Sequence, residues 1–158
     1  MAEEMPLMVP GANPSDNPLK VYAPYDGAHL ATVPTVGADG VACALATAYG
    51  LYKNRDKWLP AQERIGILEK AAAIIEERAE ALALGAAAEG GKPLMDSRVE
   101  LARAIDGVKG CVEAIRTAHG EETPMGLNVA SSGRLAVTSK EPIGVVLAFS
   151  AFNHPFNL

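Results

Sequence analysis

Apolar and polar positions follow two alternating periods along this chain. Residues 20–36 have strand character: Lys20-Val-Tyr-Ala leads into a Pro-Tyr-Asp-Gly turn at 24–27, then His29-Leu-Ala-Thr-Val. Asp26-Gly27 is a hairpin signal, because both residues tolerate the backbone of a tight turn. From 39 to 54 the period lengthens, and Val41, Leu45, Ala48 and Tyr52 fall at helical spacing. The strongest helix pattern spans 59–85, with Ile65, Leu68, Ala72, Ile75, Ala79 and Leu82 on one stripe, and Gly90-Gly91-Lys92-Pro93 breaks it. A further helix is predicted over 96–118, with Val99, Ala102, Ile105, Val108, Val112 and Ile115 on one face. After Gly120 the character changes. Residues 121–132 are polar, 133–140 alternate like a strand, and Pro142–Phe149 is a continuous apolar run. Such a run is expected of a strand buried on both faces of a mostly parallel sheet.

The pattern predicts an α/β architecture that is incomplete. A buried parallel strand needs neighbours, and no second strand–helix unit follows to provide them. The organisation by itself suggests a fragment, or a product cut at Leu158. Residues 1–18, rich in Pro, Asn, Asp and Met, are expected to be a flexible N-terminal arm.

Composition changes this picture little. With 158 residues, 49% hydrophobic and 21% charged, the chain is globular, and its 5% aromatic content implies a core of small aliphatic side chains. The net charge of −5 argues against general affinity for nucleic acid or an anionic membrane. No apolar run approaches a membrane span, and residues 1–10 lack the pattern of a signal peptide. Cys43 and Cys111 lie far apart and outside any metal-ligand spacing, so no metal site is expected. Both fall in helical patterns and are assigned to packing. A reduced, cytoplasmic location is the simplest expectation.

Chemistry is expected where the apolar run ends, at Ser150-Ala-Phe-Asn-His-Pro155. A polar turn at the carboxyl end of such a strand is where α/β proteins place ligands. The plain alternative is that Asn153 caps a helix beginning near His154, with Pro155 in its first turn.

Five segments, in order, resemble the aldehyde dehydrogenase family. Arg64-Ile-Gly-Ile-Leu-Glu-Lys-Ala-Ala, Glu89-Gly-Gly-Lys-Pro93 and Gly133-Arg-Leu are similar to family segments. Glu141-Pro-Ile-Gly-Val145 and Phe152-Asn-His-Pro155 resemble the family's Glu-Pro-x-Gly-Val strand and its Pro-aromatic-Asn-aromatic-Pro turn. Gly90 replaces a threonine, Ala151 a proline and Phe152 a common tryptophan. The resemblance runs from about residue 21 to 158, the first third of such an enzyme. The look is closest to enzymes acting on phosphonoacetaldehyde, lactaldehyde or, without phosphorylation, glyceraldehyde 3-phosphate.

The resemblance implies an incomplete Rossmann-like cofactor domain built from 19–120 and 141–158, helix-rich at its start, with residues 121–140 as a β-arm for oligomerisation. It implies NAD or NADP as cofactor, with ribose-2′ discrimination lying further along the chain. Partners would be identical subunits and the remainder of the enzyme. Asn153 would donate its amide N–H to the oxygen of the thiohemiacetal formed when a cysteine attacks the aldehyde. Phe149, Ser150, Ala151 and Phe152 would pass beside the nicotinamide ribose. His154 stands where many relatives have a bulky aromatic lining the substrate tunnel, and Arg103 falls at another tunnel position. Each has a bland alternative: His154 as a flat stacked ring, Arg103 as a solvated cation about 160° from Ile105 on the helix. Together they suggest a small anionic aldehyde as substrate, since an Arg fork reads carboxylate and phosphate-type groups. The family's nucleophilic cysteine, general-base glutamate and Gly-rich phosphate turn come from beyond residue 158, so this chain alone is expected to be inactive. An interaction module derived from the same fold, without catalysis, is the alternative.

Overall fold

A computed structural model describes residues 2–157. The predicted hairpin forms from β2 (Leu19–Tyr22) and β3 (His29–Val33), antiparallel, with Val21 opposite Ala31 and an irregularity between Val21 and Tyr22. Its turn closes as the Asp-Gly pair requires. Ala23 N–H donates to Ala28 O at 2.8 Å, the Asp26 carboxylate accepts from Ala28 N–H at 2.9 Å, and Gly27 takes φ +72°. The N-terminal segment is tied down more than expected. Glu3–Glu4 forms β1, parallel to β3, so the sheet order is β1-β3-β2. Further on, the Ser15 and Thr35 hydroxyls lie 2.6 Å apart and Thr35 donates to Asn17 O.

Helices follow: α1 (Ala38–Lys53), a 3-10 turn at Arg55–Lys57, α2 (Ala61–Glu77), α3 (Ala79–Gly90) and α4 (Leu94–Thr117). The single helix expected over 59–85 is thus two. It breaks at Arg78 (φ −98°, ψ 7°), and hydrogen bonding resumes at once as Leu82 N–H donates to Arg78 O. α4 contacts both α2 and α3. The buried residues there are mainly small: Ala72, Ala83, Ala86, Leu101, Ala104, Ile105 and Val112. Alanine at a crossing lets helix axes approach closely, so dispersion contacts accumulate without large side chains.

α3 ends where the glycines predicted. Gly91 has φ +63° and its N–H donates to Ala87 O at 2.9 Å. A Cβ here would lie 2.8 Å from Pro24 Cγ, so the position takes no side chain without displacing the hairpin turn. α4 begins three residues later, behind Pro93, whose fixed φ suits a helix start.

Three expectations need correction. On α4 the buried face runs through Ser97, Glu100, Leu101, Ala104, Ile105 and Val112, whereas Val99 and Ala102 are exposed. Counting only apolar positions rotated the face away from its polar members. Cys111 is exposed and does not pack; Cys43 is half-buried and its thiol donates to Pro10 O at 3.4 Å. Third, residues 142–149 form no strand. Ile143, Leu147 and Phe149 are 90%, 77% and 84% exposed. A parallel-type strand is held by ladder hydrogen bonds on both sides, and no such neighbour is present among the described residues.

Between α4 and this run, β4 (Glu122–Thr123) and β5 (Ala136–Val137) pair antiparallel, much shorter than the strand expected over 133–140. Asn128 and Ser131 close the loop between them in a capping box. Gly120 allows the two ends to meet, since a Cβ there would fall 1.7 Å from Thr138 O. No helix among the described residues is long and apolar enough to cross a membrane.

Candidate functional site

The turn at 150–156 is the best-organised part of the C-terminal segment. Ser150 Oγ donates to Pro155 O at 2.9 Å, and Asn157 N–H donates to His154 O at 3.2 Å. No helix starts at His154 among the described residues, so Asn153 is not a helix cap there. Its side chain is exposed and engages in none of the side-chain hydrogen bonds of the described residues, while its backbone is fixed.

That fixing comes from α4 and the α3–α4 junction. Lys92 Nζ donates to Asn153 O at 3.0 Å, and Phe156 N–H donates to Glu100 Oε1 at 2.7 Å. The Lys92 ammonium also donates to Glu100 Oε2, forming an ion pair in which the glutamate side chain is 1% exposed. His154 Nδ1 lies 3.6 Å from the same oxygen. Burial would push the Glu100 carboxyl up, but hydrogen bonds from Lys92 and Phe156, with the charges of Lys92 and His154, more than offset it and hold it below its ordinary value. Glu100 therefore stays ionised in a nearly dry position.

The other expected residues differ in exposure. Phe149, Ser150 and Phe152 are exposed and Ala151 is half-buried, so the segment offers an open edge. His154 is half-buried against Glu100. Arg103 is exposed, one helical turn beyond Glu100, and enters no ion pair among the described residues. Arg103 and His154 do not bond to each other, and only His154 has a recorded contact with Glu100.

Sequence reasoning missed Lys92 and Glu100 as site residues. Lys92 stood in the quoted Glu89–Pro93 segment without a role. Glu100 had one visible signal: an acid set among Ser97, Leu101 and Ala104 on a single helical face.

A separate open cleft of about 1260 Å³ lies between the 3-10 turn, the start of α2, the end of α4 and residues 139–144. Arg55 pairs there with Glu141 and lies 4.8 Å over the Trp58 ring. Trp58 Nε1 donates to Tyr52 O at 2.9 Å. The cleft shares no lining residue with the turn.

The profile of the aldehyde dehydrogenase family matches residues 12–158. The 3-sulfolactaldehyde dehydrogenase of Priestia aryabhattai is 34% identical over 140 residues, covering 89% of this chain and 29% of that protein. Among solved structures, aldehyde dehydrogenase 21 of Physcomitrella patens, in complex with the reaction product succinate, superposes with a TM-score of 0.89 at 28% identity, over 100% of this chain and 33% of that one. The NADP-dependent glyceraldehyde-3-phosphate dehydrogenase of Bacillus halodurans C-125, complexed with NADP, gives 0.81 at 29% identity, over 90% and 30%. The chain spans less than a third of the length of the curated relatives it matches.

Proposed function

The chain belongs to the aldehyde dehydrogenase family, and from that premise we propose that it forms the front part of an NAD(P)-dependent enzyme oxidising a small anionic aldehyde to its acid. Its mixed helix and strand architecture is the family's N-terminal α/β portion. In this reading, residues 19–120 and 141–158 begin the cofactor domain. Residues 121–140 form the arm that pairs with an identical subunit, and residues 1–18 lead into them. Both cysteines are free thiols, in keeping with a reducing, cytoplasmic setting.

The observation that carries the proposal is Asn153: an uncommitted carboxamide on a turn whose backbone is anchored on both sides. When a cysteine thiolate from the rest of the enzyme adds to the aldehyde carbon, the carbonyl oxygen gains charge. The Asn153 amide N–H, already in place, donates to it without reorganisation. Loss of hydride from that carbon leaves a thioester, which water hydrolyses to the acid. Residues 149–152 fit one wall of a nicotinamide–ribose site, because their exposed edge leaves room for a flat ring system. NAD(P) would supply the hydride acceptor there.

Arg103 and His154 would recognise the anionic tail. Support comes from the relatives named for a sulfonated aldehyde and for glyceraldehyde 3-phosphate. In the complete enzyme, Asn153→Ala should lower kcat by about 10²- to 10³-fold. Arg103→Met should raise KM for anionic aldehydes far more than for neutral ones. Unchanged kcat in the first variant, or equal KM effects in the second, would refute the corresponding role.

A further inference from the structure

We propose that Glu100 and Lys92 act as a clamp, buried on its Glu100 side, that aims the Asn153 side chain, making Glu100 a positioning residue for the oxyanion donor. The proposal rests on the oxyanion role of Asn153 set out above. Four residues of the turn, Asn153 to Phe156, are gripped at both ends by one ion pair. Lys92 Nζ holds the Asn153 carbonyl at 3.0 Å, and Glu100 Oε1 holds the Phe156 N–H at 2.7 Å. The clamp closes on itself, because the Lys92 ammonium also donates to Glu100 Oε2. Bonds to ionised groups are the stronger kind, and the burial of Glu100 strengthens those it makes.

The clamp is mounted on rigid parts. Glu100 is 2% exposed on a 24-residue helix packed against α2 and α3. Lys92 stands between Gly91, in the left-handed region, and Pro93, whose ring fixes φ. An apolar pair of similar volume would fill the same space with little loss of stability. Packing alone therefore does not account for two charges there; holding two backbone groups of one turn does.

Glu100→Gln in the complete enzyme tests this. It keeps an acceptor for Phe156 but removes the charge that holds Lys92. The expected result is a fall in kcat of about 10- to 100-fold, the cost of a donor misplaced by about 1 Å, with KM for the nucleotide unchanged. If Glu100 acts through Asn153, the double variant Glu100→Gln with Asn153→Ala is no slower than Asn153→Ala alone. Losses that multiply, or full kcat in Glu100→Gln, overturn the clamp. Should Glu100→Gln fail to fold, Lys92→Met with Glu100→Leu removes both charges together, and the same comparison applies. An Asn153→Ala enzyme with normal kcat overturns the oxyanion reading instead. Hydrogen exchange at the Phe156 amide then reads the clamp by itself: protection lost with the paired replacement supports it, and protection kept overturns it.

Discussion

Glu100 keeps its charge inside the protein because three neighbours supply what water would. Its carboxyl is held below the ordinary value of 4.5, so the folded form binds its proton less readily than the unfolded chain does. The contribution to stability is therefore complete above the ordinary carboxylate range and is lost as pH falls through the lowered folded value. Protection of the Phe156 amide, taken against the intrinsic exchange rate at each pH, should fall on acidification into that range, and in the Glu100→Gln variant this fall should be absent. Ser97, one turn earlier on α4, behaves differently. Its hydroxyl is fully buried without a hydrogen-bond partner among the described residues. Ser97→Ala deletes a desolvated polar atom and breaks no bond, so thermal melting should show no loss of stability and a small gain. At this scale Asn153 and His154 could be singled out from a short family-like segment and Arg103 from its place on the helix, and their roles remain proposals. Glu100 was not, because its partner Phe156 lies 56 residues away and stripe counting discards charged residues.

Elements with strong local signals came out as their residues predict. The Asp26-Gly27 hairpin, α1, α4 and the stop at Gly91 depend on contacts within a few residues. The break at Arg78 had no such signal, because arginine favours helix and neither Gly nor Pro is near. The two helices it separates both bear on α4, contacts that no local pattern marks. Gly91 joins the hairpin layer to the helices. Gly91→Ala places a side chain in the left-handed region, costing about 1–2 kcal/mol, and pushes a methyl toward Pro24. A clear drop in melting temperature is expected, and it should be partly recovered by Pro24→Ala, which opens the space. The Arg98 fork on Glu80, at 2.9 and 2.5 Å, joins α3 to α4 in full view of solvent. High salt should therefore screen it, whereas the buried Lys92–Glu100 pair should be little affected.

As a whole the molecule shows more surface than its mass requires. Its accessible area is 12006 Å² for 16.5 kDa, where a compact monomer of that mass exposes about 7600 Å². The excess includes the apolar run from Ile143 to Phe152 and the apolar face of α1, with Val41, Leu45 and Leu51 exposed. Residues 142–149, Val41 and Leu45 follow the pattern predicted for a core, and among the described residues no layer covers them. The isolated 158-residue chain should bind a hydrophobic dye and self-associate, and Leu147→Lys should reduce both, as read by fluorescence and sedimentation. It should not reduce NAD⁺ with any aldehyde. Turnover by the isolated chain would refute the assignment of the nucleophile to another part of the enzyme.

The bare run at 142–149 also has a meaning in time. In a longer polypeptide leaving the ribosome, the next strand–helix–strand unit needs about 30 residues. At about 5–20 residues per second, the run would stay uncovered for about 2 to 6 seconds after it emerges. For that interval such a polypeptide would present a sticky ribbon beside a turn whose anchor points are already built. Synthesis speed just after this point, and the holdase chaperones present, would decide whether the ribbon meets its own next strand or a neighbour's.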